Sequence, residues 1–293
     1  MAEIIQKDGT WTFDGETLRL VPGRDKGVSL LRRTLGELAL PLHALAGISF
    51  EQGRRSGRLR LRLRDGADPL LQATGGKLTD GQDPYRLTVE TDRYGVAEYL
   101  VDEVRSALLL DEVPATPCTA YALPGPSVPL SVSAGDGTAS FDGEQVRLEW
   151  NWKTEEGKAS TGARLLPLAE ITAVEWQPAE GLENGHLRFV IRSAVTKAPP
   201  KHDPNAVELW GFKKDPLMAL VAAAVQARLP HPAAAAAPPA AALPGPPEPV
   251  PAGPAPDHDA LLRRLRELGE LHRSGVLTEE EFAAAKAAVL RQM

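Results

Sequence analysis

The chain contains two copies of one unit, and this internal repeat limits the possible folds more than any other feature of the sequence. Residues 8–20 match residues 136–148 without a gap, and each stretch has one Asp-Gly pair before a phenylalanine and one directly after it. Shorter matches follow in the same order through both copies: residues 40–42 with 166–168, 48–51 with 174–177, and 57–60 with 185–188. We therefore expect two domains of one fold, each about 100 residues long and able to form its own core.

The hydrophobic pattern inside each copy changes from strand-like to helix-like. Residues 17–21, 47–51 and 58–64 alternate or form short β-rich runs between turn residues that favour hairpins. Near the end of each copy, apolar residues recur every three or four positions, at Val96, Leu100, Val101, Val104 and Leu108, and at Leu217, Leu220, Val221, Val225 and Leu229. The pattern predicts a mainly β fold with α, in which each unit is a small barrel or strongly bent sheet closed by one amphipathic C-terminal helix.

Two proline-rich stretches divide the chain. Residues 111–135 contain five prolines and are predicted to link a first unit at 1–110 to a second at 136–229. Residues 230–256 contain 11 Pro and 10 Ala, a composition that cannot form a core and favours an extended, disordered linker. The prolines around the Ala233–Ala237 run argue against a stable helix there.

The last segment, residues 257–293, has the pattern of two short helices joined as an αα-hairpin. Asp259 can cap the first helix, and Thr278 and Glu281 have the spacing of a capping box at the start of the second. The leucine-rich first helix, the Gly275–Phe282 turn and the following Lys286 and Leu290 resemble the bacterial SHOCT (short C-terminal) domain. That resemblance implies a small helical hairpin, attached to varied proteins, that mediates oligomerisation, and it does not imply catalysis.

The doubled unit also resembles a known type of protein. Its Asp-Gly openings, Leu-Pro-Leu segments, Asn184-Gly185 turn and closing helices are similar to those of an uncharacterised bacterial family with two PH-like (pleckstrin-homology-like) repeats before such a tail. The resemblance implies a PH-like fold for each repeat. It implies no particular ligand, because this fold serves lipid, peptide and purely structural roles.

Composition and spacing argue against several function classes. A net charge of −6 disfavours nucleic acid as the partner of the whole chain, since such binding needs a basic surface. The single cysteine, Cys118, and six scattered histidines offer no disulfide framework, metal spacing or nucleophile–base pair. We expect no enzyme activity, cofactor or metal. No apolar signal segment opens the chain and no apolar run is long enough to span a bilayer, so we expect a cytoplasmic protein.

The most distinctive charged feature is a run of alternating arginines and leucines. Alternation at residues 58–64 places Arg58, Arg60, Arg62 and Arg64 on one face of a strand and leucines on the other. Guanidinium groups in a row could bind phosphorylated headgroups, acidic peptides or nucleic-acid phosphates. The alternative is a solvated strand face whose arginines pair with nearby carboxylates. The second repeat has His186 and Val190 at two of the four positions, so an anion site is expected in the first repeat alone.

Trp150 and Trp152 have no counterpart in the first copy and are candidates for an aromatic surface. Two tryptophans on one face at the end of a strand could line a peptide-binding groove, and packing between the repeats or partial burial in the core is the alternative. Trp11, Trp176 and Trp210 lie in strand patterns and are predicted to be core residues.

Together these features predict a non-enzymatic binding or scaffold protein with tandem PH-like units. Its hairpin would bind a second copy or a protein partner through Leu265, Leu268, Phe282 and Val289, because about 35 residues are too few to fold alone. The alternative function is a peripheral membrane adaptor that binds anionic lipid through the arginine strand of repeat 1.

Overall fold

A computed structural model describes residues 1–192 and 198–236, together with residues 269, 270, 273, 282 and 283. The chain divides into two compact units, residues 1–238 and residues 239–293. The first unit contains both repeats. None of the helices in the described ranges is long and apolar enough to cross a bilayer.

The first repeat, all of whose residues are described, forms a four-stranded and a three-stranded antiparallel sheet. The first sheet has the order β1-β2-β3-β4, the second has the order β5-β6-β7, and a long helix follows. The strands are β1 (Ala2–Gln6), β2 (Gly9–Phe13), β3 (Thr17–Pro22), β4 (Leu38–Pro41), β5 (Leu45–Glu51), β6 (Ser56–Leu63) and β7 (Arg86–Glu90). The helices are α1 (Leu30–Leu35), α2 (Pro69–Thr74) and α3 (Tyr94–Leu110).

The second repeat has the same sheet order. One sheet has the order β8-β9-β10-β11, which corresponds to β1-β2-β3-β4, and the other has the order β12-β13-β14, which corresponds to β5-β6-β7. The strands are β8 (Leu130–Ala134), β9 (Gly137–Phe141), β10 (Gln145–Trp150), β11 (Arg164–Pro167), β12 (Ile171–Gln177), β13 (Gly185–Ile191) and β14 (Ala206–Leu209). The helices are α4 (Glu156–Ala159) and α5 (Met218–Gln226), and α6 (Pro232–Ala236) follows the repeat.

Equivalent residues occupy equivalent places in the two repeats, as the sequence match predicts. Phe13 pairs with Ala2 and Leu18 across its sheet, whereas Phe141 pairs with Leu130 and Val146. Both phenylalanine rings are buried.

The Phe-Asp-Gly turns explain why the repeat is most exact there. The Asp14 carboxylate accepts hydrogen bonds from the backbone N–H groups of Glu16 and Thr17, at 3.0 and 2.8 Å. Asp142 accepts the two corresponding bonds in the second repeat, both at 2.8 Å. Gly15 and Gly143 adopt φ of 111° and 113°, which side chains disfavour, so the turn needs both Asp and Gly.

Within the described residues the four small sheets remain separate and no closed barrel forms, so the mainly β prediction is confirmed and the predicted barrel is wrong. Side chains rather than a backbone ladder join the two sheets of repeat 1. The backbone N–H of Thr88 donates to Asp8 Oδ2 at 3.0 Å, and that of Glu90 donates to Gln6 Oε1 at 3.2 Å. An open seam therefore remains between β1 and β7.

The two closing helices have different surroundings. Helix α3 is amphipathic as predicted, with Ala97, Leu100, Val101 and Val104 buried and other residues facing solvent. Helix α5 was predicted to be amphipathic as well, and this is wrong: every residue from Met218 to Gln226 is buried.

Helix α2 of the first repeat covers the outer side of α5. Asp68 caps α2 by accepting hydrogen bonds from the N–H groups of Leu70 and Leu71, at 2.9 and 3.1 Å. Leu70 and Ala73 of this helix, with Leu31, belong to the apolar core of the second repeat. The repeats consequently share one continuous interface.

The proline-rich segment between the repeats is folded onto them. Its last residues, Leu130–Ala134, form β8, so the second repeat begins earlier than the predicted residue 136. Cys118 and Leu123 are buried in the core of the first repeat, and the Tyr121 hydroxyl accepts a 2.8 Å hydrogen bond from Gln226 Nε2. Hydrophobic residues scattered among the prolines provide this packing.

The start of the Pro/Ala-rich stretch is also ordered. Helix α6 occupies Pro232–Ala236, where the flanking prolines argued against a helix. His231 Nδ1 accepts a 3.2 Å hydrogen bond from the N–H of Ala233, and the His231 ring packs against Tyr121 with centroids 4.6 Å apart. The first residues of the predicted disordered linker at 230–256 are therefore helical, and residues 237–256 lie outside the described ranges.

The five described residues of the second unit are all helical. Phe282 is half-buried, while Leu265, Leu268 and Val289 lie outside the described residues. The predicted αα-hairpin and its contacts stay a prediction.

Candidate functional site

The arginine strand is β6, and its alternation is as predicted. Leu59, Leu61 and Leu63 are buried, whereas Arg58, Arg60 and Arg62 are exposed. The register of the sheet places Arg60 directly opposite Arg86 of β7. Two like charges face each other across the sheet, which destabilises unless a counter-charge is supplied.

Carboxylates of the loop before β7 are bound mainly to Arg86. Its Nε donates to Asp83 Oδ2 at 2.9 Å, and its Nη1 donates to Asp80. Arg58 also lies 3.7 Å from Asp80, but both side chains are largely exposed and such a pair contributes little. Arg60 makes no ion pair with any described carboxylate.

The other two arginines of the strand differ from Arg60. The Arg64 guanidinium donates to the backbone carbonyl oxygens of His43 and Thr116, at 2.8 and 2.9 Å, and so fastens the inter-repeat segment to β6. Arg62 is exposed and unpaired among the described residues, and it does not line the cleft described next. The four predicted anion ligands therefore do not form one site.

Arg58 and Arg60 line a cleft of about 480 Å³ on the first repeat. Its walls come from the β1–β2 turn, the segment before α1, and strands β6 and β7. The basic residues that line it are Lys7, Arg32, Arg58, Arg60 and Arg86, and the acidic ones are Asp8, Asp25, Glu51, Asp80 and Glu90. The cleft is thus mixed in charge rather than uniformly positive.

Most charges in the cleft are already paired. Lys7 Nζ lies 2.6 Å from Glu90 Oε1, and this contact raises the pKa of Lys7 and lowers that of Glu90. The buried Arg32 donates to the backbone carbonyl of Asp8 at 3.1 Å and lies 3.7 Å from its carboxylate. Arg60 is consequently the basic group most available to a ligand.

Two buried polar atoms on the cleft have no hydrogen-bond partner among the described residues: the donor Gln6 Nε2 and the acceptor Asp8 Oδ1. Both residues line the cleft at the seam between β1 and β7. An unpaired buried polar atom is costly, so the pair suits a ligand that offers both an acceptor and a donor.

In the second repeat, the aspartate at the equivalent position has its hydrogen-bond partners within the protein. Asp136 corresponds to Asp8, and its carboxylate accepts a 2.6 Å hydrogen bond from Lys158 Nζ of α4 and a 2.8 Å bond from the N–H of Glu208. Lys158 Nζ also donates to the carbonyl of Pro200 at 3.1 Å and lies 4.4 Å from the Trp150 ring. Burial raises the pKa of Asp136 and lowers the pKa of Lys158.

The repeat aligns Asp8 with Asp136, but the sequence analysis singled out neither aspartate as a site residue and did not find their partners. Arg32 and Lys158 both come from the short helix between the third and fourth strands of their repeats. These helices differ in sequence and length, so the match contains no signal for them. A basic residue in each connection was the only available clue.

The two candidate tryptophans differ in burial and do not lie together on one strand face. Strand β10 ends at Trp150, which is half-buried and donates from Nε1 to the carbonyl of Gly162 at 2.8 Å. Trp152 lies in the following turn and is 88% exposed. Trp11 and Trp176 are buried as predicted, whereas Trp210 is half-buried at the end of β14.

Two known families match the chain. The family described as Domain of unknown function (DUF4429) matches residues 11–105 and again residues 139–226. The family described as Short C-terminal domain (SHOCT) matches residues 263–290. No curated protein matches the chain.

Proposed function

Because the chain belongs to the DUF4429 family, with two copies of that domain before a SHOCT domain, we propose that it is a non-enzymatic scaffold that binds an acidic protein segment in repeat 1. In this proposal both repeats are PH-like units. Support comes from their common plan of four strands, three strands and a closing helix, built in the same order twice. The tail joins copies of the scaffold or a protein partner.

The observation that carries the proposal is Arg60. This side chain is exposed, faces another arginine across the sheet, has no described carboxylate partner and lines a cleft. Asp80 and Asp83 already supply a counter-charge to Arg86, so a ligand carboxylate would supply the one that Arg60 has not got and would gain a charge-assisted hydrogen bond.

The neighbouring unpaired atoms favour a peptide as the source of that carboxylate. A peptide bond offers one acceptor and one donor, and Gln6 Nε2 and Asp8 Oδ1 need one of each. The ligand would therefore place an acidic side chain on Arg60 and a backbone amide at the seam between β1 and β7.

An anionic membrane suits the cleft less well. Asp25, Glu51, Asp80 and Glu90 also line it, and a negatively charged lipid surface would be repelled by them. A peptide can place one carboxylate away from these acids, whereas a bilayer presents a continuous negative surface. Binding to lipid through Arg58, Arg60 and Arg62 is the competing function.

The experiment compares Arg60→Gln with Arg62→Gln in the full chain. Both side chains are exposed on the same face of β6, but Arg62 lies outside the cleft, so it is a matched control. The probe is a fluorescein-labelled Glu/Gly peptide of ten residues, measured by anisotropy at several salt concentrations. Arg60→Gln should weaken binding about 10-fold or more, whereas Arg62→Gln should change it less than 3-fold.

Equal losses of peptide affinity in the two variants would show that only the overall positive charge of the strand matters. That result would refute the proposal that the peptide binds in the cleft. Co-sedimentation with phosphatidylglycerol vesicles provides the second arm. Loss of vesicle binding in both variants, with no peptide binding by the unaltered chain, would establish the membrane adaptor instead.

A further inference from the structure

A cluster of three aromatic rings surrounds one ammonium group in the second repeat. Lys153 Nζ lies 5.3 Å from the centroid of the Trp152 ring, 5.2 Å from that of Trp210 and 5.5 Å from that of Phe212. All three distances are within the roughly 6 Å at which a ring face attracts a cation. We refer to Trp152, Trp210 and Phe212 as the cage.

The wall formed by Trp210 and Phe212 is rigid. The Asp215 carboxylate accepts hydrogen bonds from the backbone N–H groups of Trp210, Gly211 and Phe212, at 2.7, 2.8 and 3.1 Å. The Trp210 and Phe212 rings meet edge to face, with centroids 6.1 Å apart and planes at 77°. These contacts hold two faces of the cage at nearly a right angle.

The backbone turn that carries Trp152, the opposite wall of the cage, is also held in place. Asn151 donates from Nδ2 to the carbonyl of Gly135 at 2.9 Å and accepts from the N–H of Lys153 at 2.9 Å. The turn that carries Trp152 is thereby tied to the turn between β8 and β9. A preorganised site of this kind binds with less loss of conformational freedom.

Folding alone does not account for the position of these rings. Trp152 is 88% exposed and Phe212 is 58% exposed, and both line an open cavity of about 350 Å³. Large aromatic side chains held at the surface in a defined arrangement are typical of binding sites.

The charges around the cavity specify the second half of a ligand. Lys213 and Lys214 are exposed and line the cavity beside Phe212. Asp215 also lines it; its Oδ2 accepts hydrogen bonds from the three backbone N–H groups, and its buried Oδ1 has no hydrogen-bond partner among the described residues. Lysines 153, 213 and 214 form no ion pair with a carboxylate in the described ranges, so an anionic group can bind next to the cage.

We propose that the cage binds a quaternary ammonium group that is carried next to a phosphate, that is, a phosphocholine group. The ammonium takes the place of Lys153 between the three rings, and the phosphate contacts Lys213 and Lys214. Lys153 acts as an internal occupant that competes with the ligand. This site is separate from the repeat 1 cleft, and neither proposal depends on the other.

The test uses the full chain and soluble phosphocholine, followed by isothermal titration. Lys153→Ala should bind about 10-fold more tightly than the unaltered chain, because the internal competitor is gone. Adding Phe212→Ala to that variant should weaken binding about 10-fold through loss of one ring face. Tyr99→Ala is the matched control, since Tyr99 is a half-exposed aromatic residue of α3 distant in sequence from the cage.

Choline and inorganic phosphate, titrated separately, should each bind more weakly than phosphocholine. The proposal is overturned if Lys153→Ala gains no affinity, or if inorganic phosphate binds as well as phosphocholine. Vesicles identify the source of the group: binding to phosphatidylcholine vesicles assigns a lipid headgroup, and binding to soluble phosphocholine alone assigns a free metabolite. Binding to phosphatidylglycerol vesicles without any response to phosphocholine would also overturn it, since that result needs only basic and aromatic surface.

Discussion

Replacing Lys158 with Met should destabilise the protein strongly, because it leaves the buried Asp136 carboxylate without its cation. The ammonium is fully buried and lies 2.6 Å from Asp136 Oδ2. Met conserves most of the side-chain volume, so the loss is electrostatic rather than a cavity. Removal of one partner from a buried ion pair costs about 3–5 kcal/mol. Protonating Asp136 limits the loss, since neutralising a carboxyl group of pKa about 4 at pH 7.5 costs about 5 kcal/mol.

The loss of stability in the Lys158→Met variant should depend on pH. Burial raises the pKa of Asp136 in the folded protein, and the Lys158 contact that opposes this rise is absent in the variant. The folded state then binds a proton more tightly than the unfolded state, so the stability of the variant falls as pH rises above the unfolded pKa. The difference from the unaltered chain should shrink by up to about 1.4 kcal/mol for each pH unit between 7.5 and 5.5.

The assay is urea unfolding of the full chain followed by tryptophan fluorescence at pH 7.5 and pH 5.5. Lys201→Met is the matched control, because Lys201 is exposed beside Pro200, and its free energy of unfolding should change by less than about 0.5 kcal/mol. A loss below about 1 kcal/mol for Lys158→Met at pH 7.5, or a deficit that grows toward acid, would refute the reasoning.

Two further predictions concern the contacts between parts of the chain. Leu70→Ala in α2 should reduce the free energy of unfolding by about 2–5 kcal/mol, and circular dichroism and tryptophan fluorescence should still report one transition; separate transitions for the repeats would contradict the shared core. Leu268→Asp with Phe282→Asp should lower the mass measured by light scattering to that of one chain while the unfolding of the repeats is unchanged. If the unaltered chain is already monomeric at tens of micromolar, the tail does not self-associate.

Much of the architecture follows from local pattern. The gapless match predicts that Phe13 and Phe141 are equivalent and buried, and alternation predicts which face of β6 carries arginine. Both predictions depend on neighbours in sequence or in one sheet, where strand geometry alone decides which side a residue faces.

The candidate sites depended on groups that sequence spacing does not connect. Lys158 reaches an aspartate 22 residues earlier, and Phe212 joins Trp152 from 60 positions away. Arg64 continues the alternation of Arg60 and Arg62 one residue beyond the end of β6, but its guanidinium donates to backbone carbonyls of two other segments. The residue types are visible in the sequence, whereas their partners are chosen by the packing of distant segments.

The two closing helices show which properties follow from spacing within a segment and which follow from its packing against other segments. Apolar spacing is enough to predict that each repeat ends in a helix with an apolar face, since that property depends on a single segment. Spacing does not predict that α5 is buried on every side while α3 keeps a solvent-exposed face, because α5 is covered by α2 of the first repeat. Periodicity records which face of an element is apolar, but the surface that covers it comes from another part of the chain.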